Sequence, residues 1–139
     1  SSPAIINICS SAGLCAVVGQ SMYSATKSAM RSFTEALNQE YNKQFFICGV
    51  YPGFIKTDIL HRQEISAKEN NIVNKVMMPL DKASKKIVKK IAKRKKRIIT
   101  GLDGKFMSFF YRIFPHFTLS IITKVLKSSK LQIFDGIFK

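Results

Sequence analysis

The stretch Ala4-Ile5-Ile6-Asn7-Ile8-Cys9-Ser10-Ser11-Ala12-Gly13 decides the fold. It opens on a nearly continuous apolar run, the reading of a strand buried on both faces, and ends in small hydroxyl residues and a glycine. The same texture returns at Phe45-Phe46-Ile47-Cys48-Gly49-Val50-Tyr51, so two short strands pairing in parallel are expected. Between them Met22, Ala25, Ala29, Met30, Phe33, Ala36 and Leu37 recur at three- and four-residue spacing. That spacing predicts a helix from Ser21 to Tyr41 with one apolar face, and hence a β-α-β unit.

Working outward, Leu80, Ala83, Ile87, Val88 and Ile91 form a second apolar stripe behind Pro79. Arg97-Ile98-Ile99-Thr100 then runs into Gly101 as a third strand. The order becomes β-α-β-α-β over residues 1–101, an α/β class. Residues 58–78 are polar and poorly periodic, and a connection that long inside a compact α/β domain is read as a substrate lid. Residues 104–139 hold seven of the eleven Phe together with six Lys or Arg, and Pro115 breaks them. A helical, aromatic and basic appendage is expected over 102–139.

The chain has 139 residues, with 18 Lys and 5 Arg against 8 acids, for a net charge of +15. Its 46% hydrophobic content is globular, which argues against disorder. Ten of the sixteen residues from Lys82 to Arg97 are Lys or Arg. The interleaved Ala83, Ile87, Val88 and Ile91 make this run the solvated face of a packed helix, and with no aromatic stacking platform beside it nucleic acid is disfavoured. A contact with an anionic membrane surface through 104–139 stays open, because Phe106, Met107, Phe109, Phe110, Ile113, Phe114 and Phe117 stand beside Lys105 and Arg112. The same residues would equally cover a substrate cleft or a contact between subunits. The longest charge-free stretch after position 100, Ile113 to Thr123, falls short of the roughly 20 residues that span a bilayer. Cys9, Cys15 and Cys48 contain no C-x-x-C and have no clustered histidines for zinc, so no metal site is expected. They are read as reduced thiols in a cytoplasmic protein, Cys15 and Cys48 as small buried residues. The sequence starts at Ser1 with a strand rather than a charged and apolar signal peptide.

Tyr23-Ser24-Ala25-Thr26-Lys27 places a phenol and an ammonium four residues apart on one helical face, where both can act on one target. An ammonium beside a phenol favours the phenolate and eases proton exchange with an alkoxide. Alone the pair carries little, since with this much Lys about one such match in every two chains arises by chance. Context adds Ser10, thirteen residues earlier at the end of a buried strand, where ligands of open α/β sheets bind. It also adds Tyr51-Pro52-Gly53-Phe54-Ile55-Lys56-Thr57, a fixed turn that lets a planar ligand approach the backbone, followed by a hydroxyl.

Together, Asn-Ile-x-Ser, Tyr-x-x-x-Lys and Pro-Gly-x-x-x-Thr resemble the classical short-chain dehydrogenase/reductase family, strongly over 5–57 and by pattern over 80–101. The resemblance implies the C-terminal part of a Rossmann-type doubly wound parallel sheet. It implies a nicotinamide-dependent oxidoreductase that interconverts a secondary alcohol and a ketone or aldehyde. Ser10 would orient the substrate oxygen, Tyr23 would be the general acid or base, and Lys27 would assist the tyrosine and bind the nicotinamide ribose. Pro52, Gly53, Ile55 and Thr57 would line the nicotinamide. Cys9 stands where the family most often has serine. The implied partners are a small carbonyl or alcohol substrate and a second copy of the protein.

The family's phosphate loop, Thr-Gly-x-x-x-Gly-x-Gly, has no counterpart among the glycines at 13, 19, 49, 53, 101, 104 and 136. The residue that selects NADP or NAD is missing as well. The chain is therefore expected to be the C-terminal half of an enzyme, with an unpaired edge on its first strand. Two competing readings stay open: a basic module that binds membrane surfaces or polyanions without catalysis, and an inactive truncated product.

Overall fold

The computed structural model of the chain describes residues 3–56 and 77–129. Strand β1 is Ala4–Ile8, followed by a 3₁₀ turn at Ser11–Gly13 and helix α1 at Ser21–Tyr41. Strand β2 is Phe46–Tyr51, and the two-residue strands β3 (Ile55–Lys56) and β4 (Met78–Pro79) pair beside it in a small parallel ladder. Helix α2 (Leu80–Ala92) leads to β5 (Arg97–Ile99), and helices α3 (Leu102–Ile113) and α4 (Pro115–Ser129) follow. The main sheet has the order β1-β2-β5 with both pairings parallel, so the expected β-α-β-α-β order is observed.

Strand β2 is central and buried throughout, and its alternating side chains serve two layers. Phe46, Cys48 and Val50 join Ile98 in a core that Ile87 and Ile91 of α2 close. The opposite face meets α1, whose Asn38 donates to the Ile47 carbonyl at 2.7 Å. Helices on both faces of a parallel sheet make this a doubly wound α/β fold.

Three expectations about packing are corrected. Strand β1 is only half-buried, with Ile8 exposed, because it lies at the sheet edge with β2 as its partner. The apolar stripe of α1 points away from the sheet: Met22, Met30 and Phe33 are exposed, and so are Ala25, Ala29 and Ala36. The helix is seated instead by polar side chains that satisfy sheet and turn groups. Asn7 donates to Thr34 Oγ1 at 2.9 Å, and Arg31 donates to the Gly13 carbonyl at 3.2 Å. In α2, Ala83 is buried, but Leu80 and Val88 are exposed rather than part of the core stripe. The 58–78 lid lies, apart from Met77 and Met78, outside the described residues.

Candidate active site

Ser10 stands two residues beyond β1 in an extended conformation, and its Oγ accepts from the Ala12 amide at 3.1 Å, capping the 3₁₀ turn. A side-chain oxygen at such a cap satisfies an amide that the short helix leaves unpaired. The turn is then tied to two other parts of the chain. The Ser11 amide donates to the Pro52 carbonyl at 2.8 Å, which joins the ends of β1 and β2. Gly13 lies directly against α1: a Cβ placed there would come 2.5 Å from the Lys27 carbonyl oxygen. Glycine is required here for close approach of two backbones.

Tyr23 and Lys27 occupy the first two turns of α1, with the Lys27 ammonium 5.6 Å from the centroid of the Tyr23 ring. Tyr23 is exposed at 45%, Lys27 half-buried. The start of the helix is fixed from below by Ser24, a buried residue whose Oγ accepts from the Val17 amide at 3.1 Å. Pro52 and Gly53 follow β2, and Gly53 donates to the Thr100 carbonyl at 3.1 Å. Ile55 sits in β3 opposite Met78. Six of the expected site residues, Ser10, Tyr23, Lys27, Pro52, Gly53 and Ile55, thus lie on elements that meet at the C-terminal ends of the parallel strands. That is where open α/β sheets bind ligands. Thr57 lies outside the described residues.

The thiols near this end are not poised for chemistry. Cys9, Cys15 and Cys48 are buried and unpaired with one another, and burial pushes Cys15 and Cys48 up to about 11 and raises Cys9 as well. No group of three or more His, Cys, Asp or Glu among the described residues could hold a metal ion.

Sequence reasoning missed Asp103. Its carboxylate accepts from the Phe54 amide at 2.7 Å, across 49 residues of chain. The local signal was an acid in the first turn of a helix that starts after Gly101.

A family model described as short chain dehydrogenase matches residues 1–70, half of the chain. The chain belongs to the short-chain dehydrogenase family. SadH of Mycobacterium tuberculosis, named as an oxidoreductase, is 35% identical over 119 residues, covering 78% of this chain and 43% of SadH. The 3-oxoacyl-[acyl-carrier-protein] reductase of Mus musculus is 43% identical over 68 residues, covering 48% of this chain and 29% of that one. Among solved structures, a short-chain dehydrogenase from Sphingobium yanoikuyae in complex with NADPH matches with a TM-score of 0.56 at 27% identity, covering 69% of this chain and 36% of that one. A short-chain dehydrogenase from Streptomyces avermitilis matches with a TM-score of 0.59 at 21% identity, covering 91% and 52%. The chain spans less than half the length of the curated relatives it matches.

Proposed function

We propose that the intact protein is an NAD(P)-dependent oxidoreductase that interconverts an alcohol and the corresponding ketone or aldehyde. The observation that carries this reading is the double tie of the Ser10–Gly13 turn, to Pro52 on one side and to the Lys27 turn of α1 on the other. It draws the serine, the tyrosine–lysine pair and the Pro-Gly turn to one end of one sheet. Supporting it, the Sphingobium relative was solved with NADPH and a Burkholderia phymatum relative of the same fold with NAD.

In this reading the Ser10 hydroxyl orients the substrate oxygen and the Tyr23 hydroxyl gives or takes the proton at that oxygen. The Lys27 ammonium, 5.6 Å from the centroid of the Tyr23 ring, holds the nicotinamide ribose. Pro52, Gly53, Ile55 and Thr57 line the nicotinamide. When bound, the dinucleotide supplies or accepts the hydride. The residues present suit its nicotinamide end: the ammonium of the half-buried Lys27 stands one helical turn from the exposed Tyr23 phenol. No glycine-rich phosphate loop stands among the 139 residues, so the pyrophosphate end falls to the rest of the protein.

Tyr23→Phe in the intact protein tests the assignment, because the phenol hydroxyl is the only group removed. Single-turnover reduction of a panel of ketones and aldehydes should fall by about 10²–10⁴-fold, the contribution of a positioned acid, with cofactor binding retained. A variant keeping more than about a tenth of the rate would exclude Tyr23 as the proton donor.

A further inference from the structure

We propose that Asp103 is a positioning residue for the cofactor turn, clamping Pro52-Gly53-Phe54 to the start of α3; the proposal rests on the oxidoreductase reading above. The turn has two amides to satisfy, because Pro52 has none. Both are taken by one short segment: Gly53 donates to the Thr100 carbonyl at 3.1 Å, and Phe54 donates to Asp103 Oδ2 at 2.7 Å. The turn's amides are therefore held by the β5–α3 junction, while its Pro52 and Phe54 carbonyls accept from the Ser11 and Met78 amides at 2.8 and 3.0 Å.

Three glycines make room for this clamp. The Asp103 carboxylate fills the space that a side chain at Gly53 or at Gly101 would need. Gly101 also has φ +83°, a left-handed conformation that turns the chain from β5 into α3. At Gly104 a Cβ would stand 3.3 Å from Ile99 Cγ2, 3.4 Å from Ser11 Cβ and 3.5 Å from Gly53 Cα. The first turn of α3 is thus seated between the two loops that carry Ser10 and Pro52. A carboxylate in the first turn is favoured by the positive end of the helix, which holds it in place as an acceptor. Through this contact the C-terminal helices, remote in sequence, fix the backbone against which a nicotinamide ring would lie.

The test uses the intact protein with Asp103→Ala, Asp103→Ser and Asp103→Asn. Alanine removes the acceptor, serine is too short to reach Phe54, and asparagine keeps an oxygen at the same reach. Amide hydrogen exchange over residues 53–55 should be faster in the alanine and serine variants and close to wild type in the asparagine one. NADPH or NADH affinity should fall about tenfold in the first two, as for loss of one hydrogen bond to a charged group, with substrate KM unchanged and asparagine within about threefold of wild type. Unchanged exchange and cofactor affinity in a folded alanine or serine variant overturns the proposal. So does failure of both to fold, which would make Asp103 a residue of the core. If the alanine variant alone fails to fold, the serine variant decides between the two outcomes. A wild-type protein that binds no nicotinamide cofactor overturns the oxidoreductase reading instead, and the exchange measurement still reports on the clamp.

Discussion

At Gly13 a single hydrogen atom separates a working arrangement from a collision. A methyl group there meets the Lys27 carbonyl carbon at 2.7 Å as well as its oxygen, and backbone atoms in the middle of a helix do not step aside as a side-chain tip can. Gly13→Ala must push α1 away from the Ser10 turn or distort that turn. The overpacking cost is about 1–3 kcal/mol, and the shift falls between Ser10 and the Tyr23–Lys27 pair. We expect the variant of the intact protein to fold with a lowered midpoint in urea and to lose more than tenfold in turnover. A fully active Gly13→Ala would show that the distance between turn and helix is not critical. The candidate site residues could be proposed from the sequence where a motif fixes type and spacing at once, as with Ser10, Tyr23, Lys27 and the Pro52-Gly53 turn, and the elements that carry them meet at one end of the sheet. Asp103 was not, because its meaning comes from a partner 49 residues away. Ser24 was hidden for a similar reason: its partner, the Val17 amide, becomes available only when the 3₁₀ turn ends and the chain bends back.

At the scale of elements, periodicity located α1 and left its orientation wrong. Apolar spacing reports that a helix has two unlike faces, and the inference that the apolar one meets the sheet fails when the polar one has specific work. Thr34, buried at 3% exposure, and Asn38 bond into the sheet while Phe33 stays 54% exposed. Strand β2 was legible throughout, since a central parallel strand needs apolar residues on both faces and its sequence has little else. That strand also sets a pH response. Burial pushes Cys48 up to about 11 from 9.0 and Tyr51 up to about 12 from 10.0, and Cys15 beside the 3₁₀ turn up to about 11. In the unfolded chain these groups release protons from about pH 9 upward, while the folded protein retains them. The unfolded state then binds fewer protons, so stability is full below pH 9 and falls as the pH rises towards 11 and 12. Urea unfolding of the intact protein followed by circular dichroism should show midpoints that are level from pH 7 to 8.5 and decline by pH 10.5. A midpoint unchanged at pH 10.5 would mean that these thiols and the phenol titrate as freely folded as unfolded.

For the molecule as a whole, charge and apolar surface lie on adjoining elements at its C-terminal side. Helices α3 and α4 expose Phe106, Phe109, Phe110, Ile113, Phe114, Phe117, Ile121 and Val125, and an apolar cleft of about 270 Å³ runs between them. Soluble surfaces seldom keep a patch of this kind uncovered. Helix α2, with its lysine face, stands close enough to α3 that Lys105, along with Lys86 and Lys95, adds to burial in lowering the Lys90 pKa. Like charges gathered beside aromatic side chains suit an anionic lipid surface, which would relieve the repulsion and take up the Phe rings together. No helix among the described residues is long and apolar enough to cross a membrane. On this argument the intact protein should float with vesicles containing phosphatidylglycerol, increasingly so with the anionic fraction, and detach as salt shortens the Debye length from about 30 Å at 0.01 M to about 8 Å at 0.15 M. Phe109→Ser with Phe117→Ser should abolish flotation at low salt with the circular dichroism spectrum unchanged. If the unaltered protein stays in the soluble fraction at 0.01 M salt on such vesicles, the aromatic face belongs to a protein contact, and a second copy of the chain or the remainder of the same chain becomes its cover.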